Sequence, residues 1–425
     1  MRLLRTTART RDLLAPDSIS TPRLPMWLKT LAAGLALAAP SVAQDLAVRA
    51  AQLHTVSGGV IEDGVVIIRD GKIAAFGPAL VTEIPAGLRV IEAAVVTPGL
   101  VDAHTVVGVA GYLNQPHDQD QLEGSEPLQP ELRAIDAYNA REALIDWVRS
   151  FGVTTIHTGH GPGALISGQT LIAKTRGTTV EQAVIVPFAM VAATLGEEAQ
   201  VEGAKSPGTR GKAVAMLRDL LVKGQGYAAK KAKGGDDFAV DLRMEAVSKL
   251  LSREVPLMVT VRRHQDILSA IRVAKEFKLR LVLDNAVEAH LVLDEIAAAG
   301  VPVIVHPTMQ RAAGESENLS WLNASKLADA GIPIALQSGF ESYVPKTRVI
   351  LFEAAIAAVS ELGRERALRS ITLGAAELIG VGDRVGSIEV GKDGDLALYD
   401  GDPFEYTTHC VGTIIEGEVV HEGAR

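Results

Sequence analysis

The sequence is poor in cysteine and in aromatic residues: Cys410 is the only cysteine among 425 residues, and aromatics make up 4%. A lone cysteine excludes an internal disulfide, so the core must stabilise the fold. Acidic residues outnumber basic ones, 51 to 42, and the net charge is −9. Because no dense basic patch is present, we expect no nucleic acid partner. Beyond residue 43 we expect no membrane span in the mature protein.

What is present predicts a globular protein, since 47% of the residues are hydrophobic and 22% are charged. Near the N-terminus, Met26-Trp-Leu-Lys29 precedes an apolar run over residues 31–39, and Ser41-Val-Ala43 resembles a cleavage site. This order is typical of a signal peptide. We therefore expect residues 1–43 to be a leader, with a signal peptide over 26–43, and export to the periplasm. Residues 1–25 are then an upstream extension before Met26, or belong to an unusually long leader.

Both ends of the remaining chain contain short apolar, β-branched stretches with turn signals. Asp70-Gly71 separates two such stretches near the start, and Glu416-Gly417 separates two near the end. Because neither group can bury a face alone, we expect one small β-sandwich, built from residues 44–97 and 381–425.

Strands and helices alternate over residues 98–380, as in the strand over 257–261 and the helix over 266–277. This repetition predicts an α/β fold, a (β/α)8 TIM-like barrel, with an open doubly wound sheet as the alternative. Residues 199–237 interrupt the alternation as a lysine-rich helical excursion, which is either a surface insertion or a lid.

The segment Val96-Thr-Pro-Gly-Leu-Val-Asp-Ala-His104-Thr-Val106 places a histidine just past a strand. Two imidazoles at positions i and i+2 of a strand end point to the same side and can bind one cation. In this sequence the second position is Val106, whose side chain cannot bind a metal.

Residues 46–421 resemble the amidohydrolase superfamily and are most similar to its imidazolonepropionase-like exported members. The resemblance rests on four segments: Thr97-Pro-Gly-Leu-Val-Asp-Ala-His104, residues 256–267 with Leu281-Val-Leu-Asp-Asn285, Gly331-Ile-Pro-Ile-Ala-Leu336, and residues 371–403. It implies a hydrolase of C–N bonds in cyclic or peptide-like amides. It also implies a small-molecule substrate and a divalent metal, zinc, bound where loops follow strand ends.

The metal ligands that the resemblance implies are mostly replaced in this chain. His104 stands at the first ligand position, whereas the others fall on Val106, Thr260 and Asn285, and the catalytic aspartate falls near Gly339. A catalytic zinc usually needs three protein ligands. The alternative is therefore a catalytically inactive pseudo-amidohydrolase that binds no metal and recognises a small ligand or a partner protein. No catalytic residue and no oligomeric state is predicted.

A relocated metal site is a further hypothesis. His157 and His160 follow the strand at Val153, and His306 ends the strand at Val301, so these side chains could converge with His104. The alternative is a set of hydrogen-bonded histidines. Glu341, which is close in sequence to the vacant aspartate position, is a further candidate for this relocated metal or general-base site. Weaker candidates are a loop cation site at His117, Asp118 and Asp120, and an anion site at His264 beside Arg262 and Arg263. Lys174 could be the bridging carboxylated lysine that some relatives have. Polar substrate contacts could come from Asn114, Gln115, His117, Gln129, Arg133, Asn285 and Gln337.

Overall fold

The structure is a computed structural model that describes residues 45–113, 115–200, 207–234, 238–340 and 350–423. The predicted leader, Asn114 and Glu341 lie outside the described residues. Within the described ranges, no helix combines the length and the apolar character needed to cross a bilayer.

The described residues contain seventeen strands: β1 Leu46–His54, β2 Val60–Arg69, β3 Lys72–Pro78, β4 Arg89–Pro98, β5 Leu100–Thr105, β6 Val153–Thr158, β7 Ile166–Gln169, β8 Leu171–Lys174, β9 Val184–Val186, β10 Val191–Thr194, β11 Leu257–Val261, β12 Leu281–Asn285, β13 Val303–Val305, β14 Ile334–Leu336, β15 Leu396–Tyr399, β16 Cys410–Ile415 and β17 Glu418–Glu422.

Ten α-helices are described: α1 Ala143–Arg149, α2 Val180–Ala183, α3 Arg210–Lys233, α4 Leu242–Leu251, α5 His264–Phe277, α6 Leu293–Ala299, α7 Asn323–Asp329, α8 Ile350–Ala357, α9 Arg364–Ser370 and α10 Leu373–Ile379. Short 3₁₀ turns occur at Pro116–Asp118, Ala134–Asp136, Glu197–Ala199, Ala289–Leu291 and Gly314–Ser316, and a π turn occurs at Ala358–Leu362.

One seven-stranded sheet is built from both ends of the chain, in the order β17-β16-β15-β4-β1-β2-β3. The C-terminal strand β15 pairs antiparallel with β4, and β4 pairs parallel with β1. One face of this sheet buries a cluster that includes Leu46, Val66 and Ile414. Residues that are more than 300 positions apart therefore share one core, as the turn patterns at both ends predict.

The middle of the chain forms an α/β assembly, as predicted. Its strands lie in a six-stranded sheet, β14-β13-β12-β11-β10-β7, and a four-stranded sheet, β5-β6-β8-β9. Thr170 alone separates β7 from β8, and a single bridge joins Thr105 to Gly339 beyond β14. The predicted closed (β/α)8 barrel is therefore not seen as one continuous sheet, because the ladder is interrupted at these two places.

A second difference from a regular barrel concerns strand direction. The strands β10 to β14 are parallel, but β7 is antiparallel to β10 and β8 is antiparallel to β6. Stretches of only four residues carry little periodic signal, which explains why the sequence pattern did not predict β7 and β8.

The lysine-rich excursion consists mainly of the long helix α3, which begins after the Thr209 cap and packs on α4. Its first residue, Arg210, pairs with Asp266 at 3.0 Å. The helix therefore rests against α5 through its first turn, and the prediction of a helical segment is confirmed for residues 210–233.

Candidate functional site

Side chains alternate between the two faces of a strand, so residues two positions apart point to the same side. At the ends of these parallel strands, a polar residue follows a buried apolar residue at that spacing. Met258, Val282, Ile304 and Ala335 belong to one buried apolar cluster on β11 to β14. Two residues further along come Thr260 and Asp284, within β11 and β12, and His306 and Gln337, just past the ends of β13 and β14; all four are at most 7% exposed. This polar layer lies at the carboxyl ends of the strands, where ligands bind in barrel and doubly wound α/β proteins.

Asp284 is the centre of the polar layer. Its Oδ1 accepts hydrogen bonds from Nδ1 of His104 at 3.0 Å and from Nε2 of Gln337 at 2.7 Å. Its Oδ2 accepts one from Oγ1 of Thr260 at 2.6 Å. Both carboxylate oxygens are therefore occupied by groups of the protein, and we call these four residues the Asp284 network.

The electrostatics of this network favour an ion pair between His104 and Asp284. Burial lowers the pKa of His104, but the Asp284 carboxylate, together with Asp102 and the backbone of His160, raises that pKa above its usual 6.5. Burial raises the pKa of Asp284, but His104 and the hydroxyl and amide donors lower it below 3.8. With Nδ1–H donated to Asp284, the protonated ring has a second N–H at Nε2. That atom lies near the backbone of His160 without a hydrogen bond of good geometry.

His157 lies beside His104, with the ring centroids 5.7 Å apart. Its Nδ1 donates to the carbonyl of Ala103 at 2.7 Å, so its Nε2 accepts from the hydroxyl of Thr170, also at 2.7 Å. Burial, with the nearby His104 charge, lowers the pKa of His157 to about 3. The neutral ring therefore has its single lone pair in a hydrogen bond, and it connects β5 to the residue between β7 and β8.

His160 is also buried, at 7% exposed. Burial lowers its pKa to about 4, so the ring is neutral at neutral pH. The backbone of Leu132 lies beside the ring and raises this pKa, but neither ring nitrogen makes a hydrogen bond of good geometry. A Cβ at Gly168 would lie 2.4 Å from its Nε2, so the ring needs the glycine at that position.

His306 fills the space beside Gly339, the position at which the resemblance places an aspartate. A Cβ on Gly339 would lie only 2.4 Å from Nε2 of His306, and Gly339 has a φ of +72°. The Nδ1 of His306 is 3.9 Å from Oε2 of the buried Glu353. The histidine ring therefore occupies the volume that an acidic side chain at position 339 would require.

Val106 and Asp102, which lie two positions on either side of His104, are both buried. Val106 is 2% exposed and packs in the main apolar core. Asp102 accepts hydrogen bonds from the backbone N–H and the hydroxyl of Ser338, at 3.0 and 2.5 Å. Burial raises the pKa of Asp102 to about 6. This contact connects β5 to the residues that follow β14 and keeps His104 at the strand ends.

The donor set fits a conventional catalytic metal poorly. Among the described residues, no group of three or more His, Cys, Asp or Glu side chains is arranged to hold an ion. Of the four histidines of the relocated-site hypothesis, His104 and His157 are in ring contact, but the lone pair of His157 is bonded to Thr170. The relocated site stays a hypothesis, and we derive no chemical step through a metal.

Two of the weaker candidates are engaged elsewhere. Lys174 is fully buried and pairs with Asp393, at 3.0 Å, and with Asp395. This pairing leaves it no role in bridging metal ions at the strand ends. His264 donates to Glu288 at 2.7 Å, so a carboxylate already occupies the position proposed for an anion.

The loop candidates are held by local hydrogen bonds. Asp118 Oδ1 accepts from the backbone of Gln115 at 2.9 Å, and Gln129 Nε2 donates to the carbonyls of Glu123 and Glu126. His117, Asp118 and Asp120 line a cavity of about 350 Å³ together with Arg141 and Glu142. Arg133 is 3.8 Å from Asp136.

Sequence reasoning missed Asp284 and Thr170 as members of the site. The usable signal for Asp284 was the polar residue at the end of the apolar run Leu281-Val-Leu, which parallel-strand rules place at the carboxyl edge. Thr170 had no comparable signal, because its role depends on the break between β7 and β8.

The fold and the Asp284 network together define an α/β protein whose buried polar site lies at the carboxyl ends of parallel strands. The family model for the amidohydrolase family matches residues 109–421, which is more than half of the chain. This chain belongs to the amidohydrolase family.

Individual relatives agree with this assignment. An imidazolonepropionase from Rhizobium rhizogenes is 25% identical over 371 residues, covering 80% of this chain and 87% of its own length. One from Micrococcus luteus is 27% identical over 400 residues, covering 88% and 97%. The crystal structure of an amidohydrolase from Thermotoga maritima is 27% identical, with a TM-score of 0.84, covering 89% of this chain and 100% of that one.

Proposed function

We propose that this amidohydrolase-family protein binds a small polar ligand at the Asp284 network without a metal ion. The observation that carries the proposal is the occupation of both Asp284 oxygens by His104, Gln337 and Thr260. A buried carboxylate whose two oxygens already accept three hydrogen bonds from protein groups has little capacity left for a cation.

The ligand class follows from the one donor that this network leaves without a good partner. The pKa of His104 is raised, which favours the protonated ring, with an N–H at Nε2 as well as at Nδ1. An ionised donor in a low-dielectric site favours a carbonyl or carboxylate oxygen as its acceptor. A cyclic amide, a peptide-like amide or a small organic acid has this group, and the two kinds of amide also fit the substrate class that the family implies.

A thermal-shift screen tests the proposal. Protein kept in EDTA is titrated with cyclic amides, dipeptides and small carboxylic acids, and we expect Tm to rise for at least one of them. At a ligand concentration of 100 Kd the expected stabilisation is about 2.7 kcal/mol. The shift should vanish in His104→Gln and persist in the control His409→Gln, whose ring is 76% exposed. A shift that appears only when zinc is added would contradict the proposal.

A second candidate is hydrolysis of a C–N bond, and the His104–Asp284 pair favours it. An imidazole that is oriented by a buried carboxylate is an arrangement that hydrolases use for proton transfer. Because the pKa of His104 is raised, a base role predicts turnover that increases at alkaline pH.

Imidazolonepropionate, after which the relatives are named, is the first substrate to assay for this candidate. Turnover that resists chelators and is lost in His104→Gln would establish metal-independent hydrolysis. No turnover in a sample that still binds ligand would remove this candidate and leave the first one.

We also infer that the six- and four-stranded sheets together form a distorted barrel, supported by the Thr105–Gly339 bridge and by the one-residue step from β7 to β8. The signal-peptide pattern over residues 26–43 supports export to the periplasm. Fractionation of cells that produce the full chain, followed by N-terminal sequencing, tests export and cleavage after residue 43.

A further inference from the structure

A cleft of about 770 Å³ lies at the opposite end of the strands from the Asp284 network. It is lined by the amino ends of β12 and β13 and by residues at the C-terminal ends of α5 and α6. Its volume falls within the range of about 300–1,000 Å³ that is typical of small-molecule sites.

The lining of this cleft separates into an apolar floor and a cationic rim. The floor includes Leu279, Leu281 and Val301, each at most 7% exposed. The rim contains four cations, Arg253, Lys275, Lys278 and Arg280, and one carboxylate, Glu295. This excess of positive charge contrasts with the net charge of −9 of the whole chain.

The rim cations are not neutralised by neighbours within the described ranges, where none of them forms a salt bridge. Arg253 donates to the carbonyl of Lys278 at 3.3 Å, and Arg280 donates to the carbonyl of Glu254 at 3.3 Å. These bonds position the guanidinium groups but involve neutral acceptors, so the rim, with Glu295 as its one carboxylate, keeps a net positive charge.

Backbone conformation supplies a second argument. Lys278 has a φ of +57° and Arg253 has a φ of +66°, in the left-handed region where glycine is preferred. The nearby position 300, which caps α6 in the same region of φ, is a glycine. The chain therefore keeps cationic side chains at two strained positions on the rim of one cleft.

We propose that this cleft binds an amphiphilic anion, a molecule with an apolar body and one acidic head group. The apolar body would lie on the floor around Leu281, and the acidic group would lie between Lys275 and Lys278. A free fatty acid and an anionic lipid share this chemistry. The proposal is independent of the function proposed for the Asp284 network, which lies at the other end of the strands.

Calorimetric titration of the full chain with decanoate tests the proposal, with the uncharged detergent octyl glucoside as the comparison ligand. We expect one decanoate per chain, much weaker binding of octyl glucoside, and a loss of affinity as salt increases. Co-sedimentation with phosphatidylglycerol vesicles then distinguishes the sources, because vesicle binding indicates a lipid and its absence indicates a free acid.

The informative variant is Lys278→Gly, which removes the charge and fits the left-handed backbone. We expect at least a tenfold loss of decanoate affinity in Lys278→Gly with no loss of thermal stability. Lys223→Gln, on the exposed face of α3, removes the same charge elsewhere and should bind like the wild type. The proposal is wrong if decanoate fails to bind or binds equally to Lys278→Gly. It is also wrong if Lys278→Gly loses stability instead, because the lysine would then serve only to end α5.

Discussion

Among the described residues, the Asp284 network and a second buried polar cluster differ in what their charges can do. The Asp284 network contains one titratable cation, His104, beside one carboxylate. The second cluster, which we call the Lys174 cluster, places the ammonium of Lys174 between Asp393 and Asp395 where β8 meets the seven-stranded sheet. Asp393 also pairs with Lys72 and with Arg384.

The Lys174 cluster has no spare group, because each of its buried charges faces opposite charges or a backbone donor. It joins the chain's middle to its C-terminal strands, so its role is structural. The Asp284 network instead has a histidine that can lose its proton and whose Nε2 lacks a good partner. Burial alone therefore does not mark a functional site, whereas burial together with an unused donor does.

The greatest loss of stability is expected for Lys174→Met, which leaves two buried carboxylates facing each other. Removing one partner of a buried ion cluster costs about 3–5 kcal/mol of unfolding free energy, measured by urea titration. Lys72→Met is the matched control, because Lys72 contacts the same Asp393 but is half exposed, and its loss should cost at most about 1 kcal/mol. Equal losses in both variants would contradict the distinction.

A more modest and pH-dependent loss is expected for Asp284→Asn, because His104 can become neutral when its partner is removed. We expect a loss of about 2–3 kcal/mol at pH 5 to 6, and a fall in the pKa of His104 that NMR can follow. Asp146→Asn, at an exposed ion pair, is the control.

The sign of the pH dependence follows from the two shifts. The raised pKa of His104 gives a contribution to folding stability that is fully present below pH 6.5 and is lost as pH rises through the folded-state pKa of this ring. The lowered pKa of Asp284 gives a contribution to folding stability that is present above pH 3.8 and is lost as pH falls through the folded-state pKa of this carboxylate. The stability difference between wild type and Asp284→Asn should therefore be largest between these limits, and a flat difference would show that the ion pair does not exist.

A still smaller difference in stability is expected between alanine variants at Gly339 and Gly331, because His306 occupies the space beside Gly339. Gly339 and Gly331 share a φ of +72°, but a Cβ at Gly331 would have nothing within 4 Å. Alanine at either site is strained by the backbone, so the contact with His306 should make Gly339→Ala about 2 kcal/mol less stable than Gly331→Ala. Equal stabilities by thermal unfolding would mean that the ring moves away freely.

The sequence was sufficient for those elements of the fold that depend on local periodicity. The strand predicted over residues 257–261 is β11 with the same bounds, and the helix predicted over 266–277 lies within α5. The strands β7 and β8 could not be predicted, because segments of only four residues have no distinguishable period.

For the site, the sequence located His104 and the positions of Thr260, Asn285 and Gly339, but it could not show what replaces the missing ligands. The roles of Asp284 and His306 arise from contacts between residues that are 180 positions apart in one case and 33 in the other. Such contacts depend on the register between strands, which no local pattern encodes.

Metal stoichiometry decides whether the strand ends hold a self-contained polar network or an ion site. Mature protein is equilibrated with excess zinc, desalted and measured by elemental analysis, beside Asp284→Asn. We expect well below one ion per chain in both samples, since the donors at the strand ends are bonded to one another. Close to one zinc per chain in the wild type, lost in Asp284→Asn, would contradict the metal-free network.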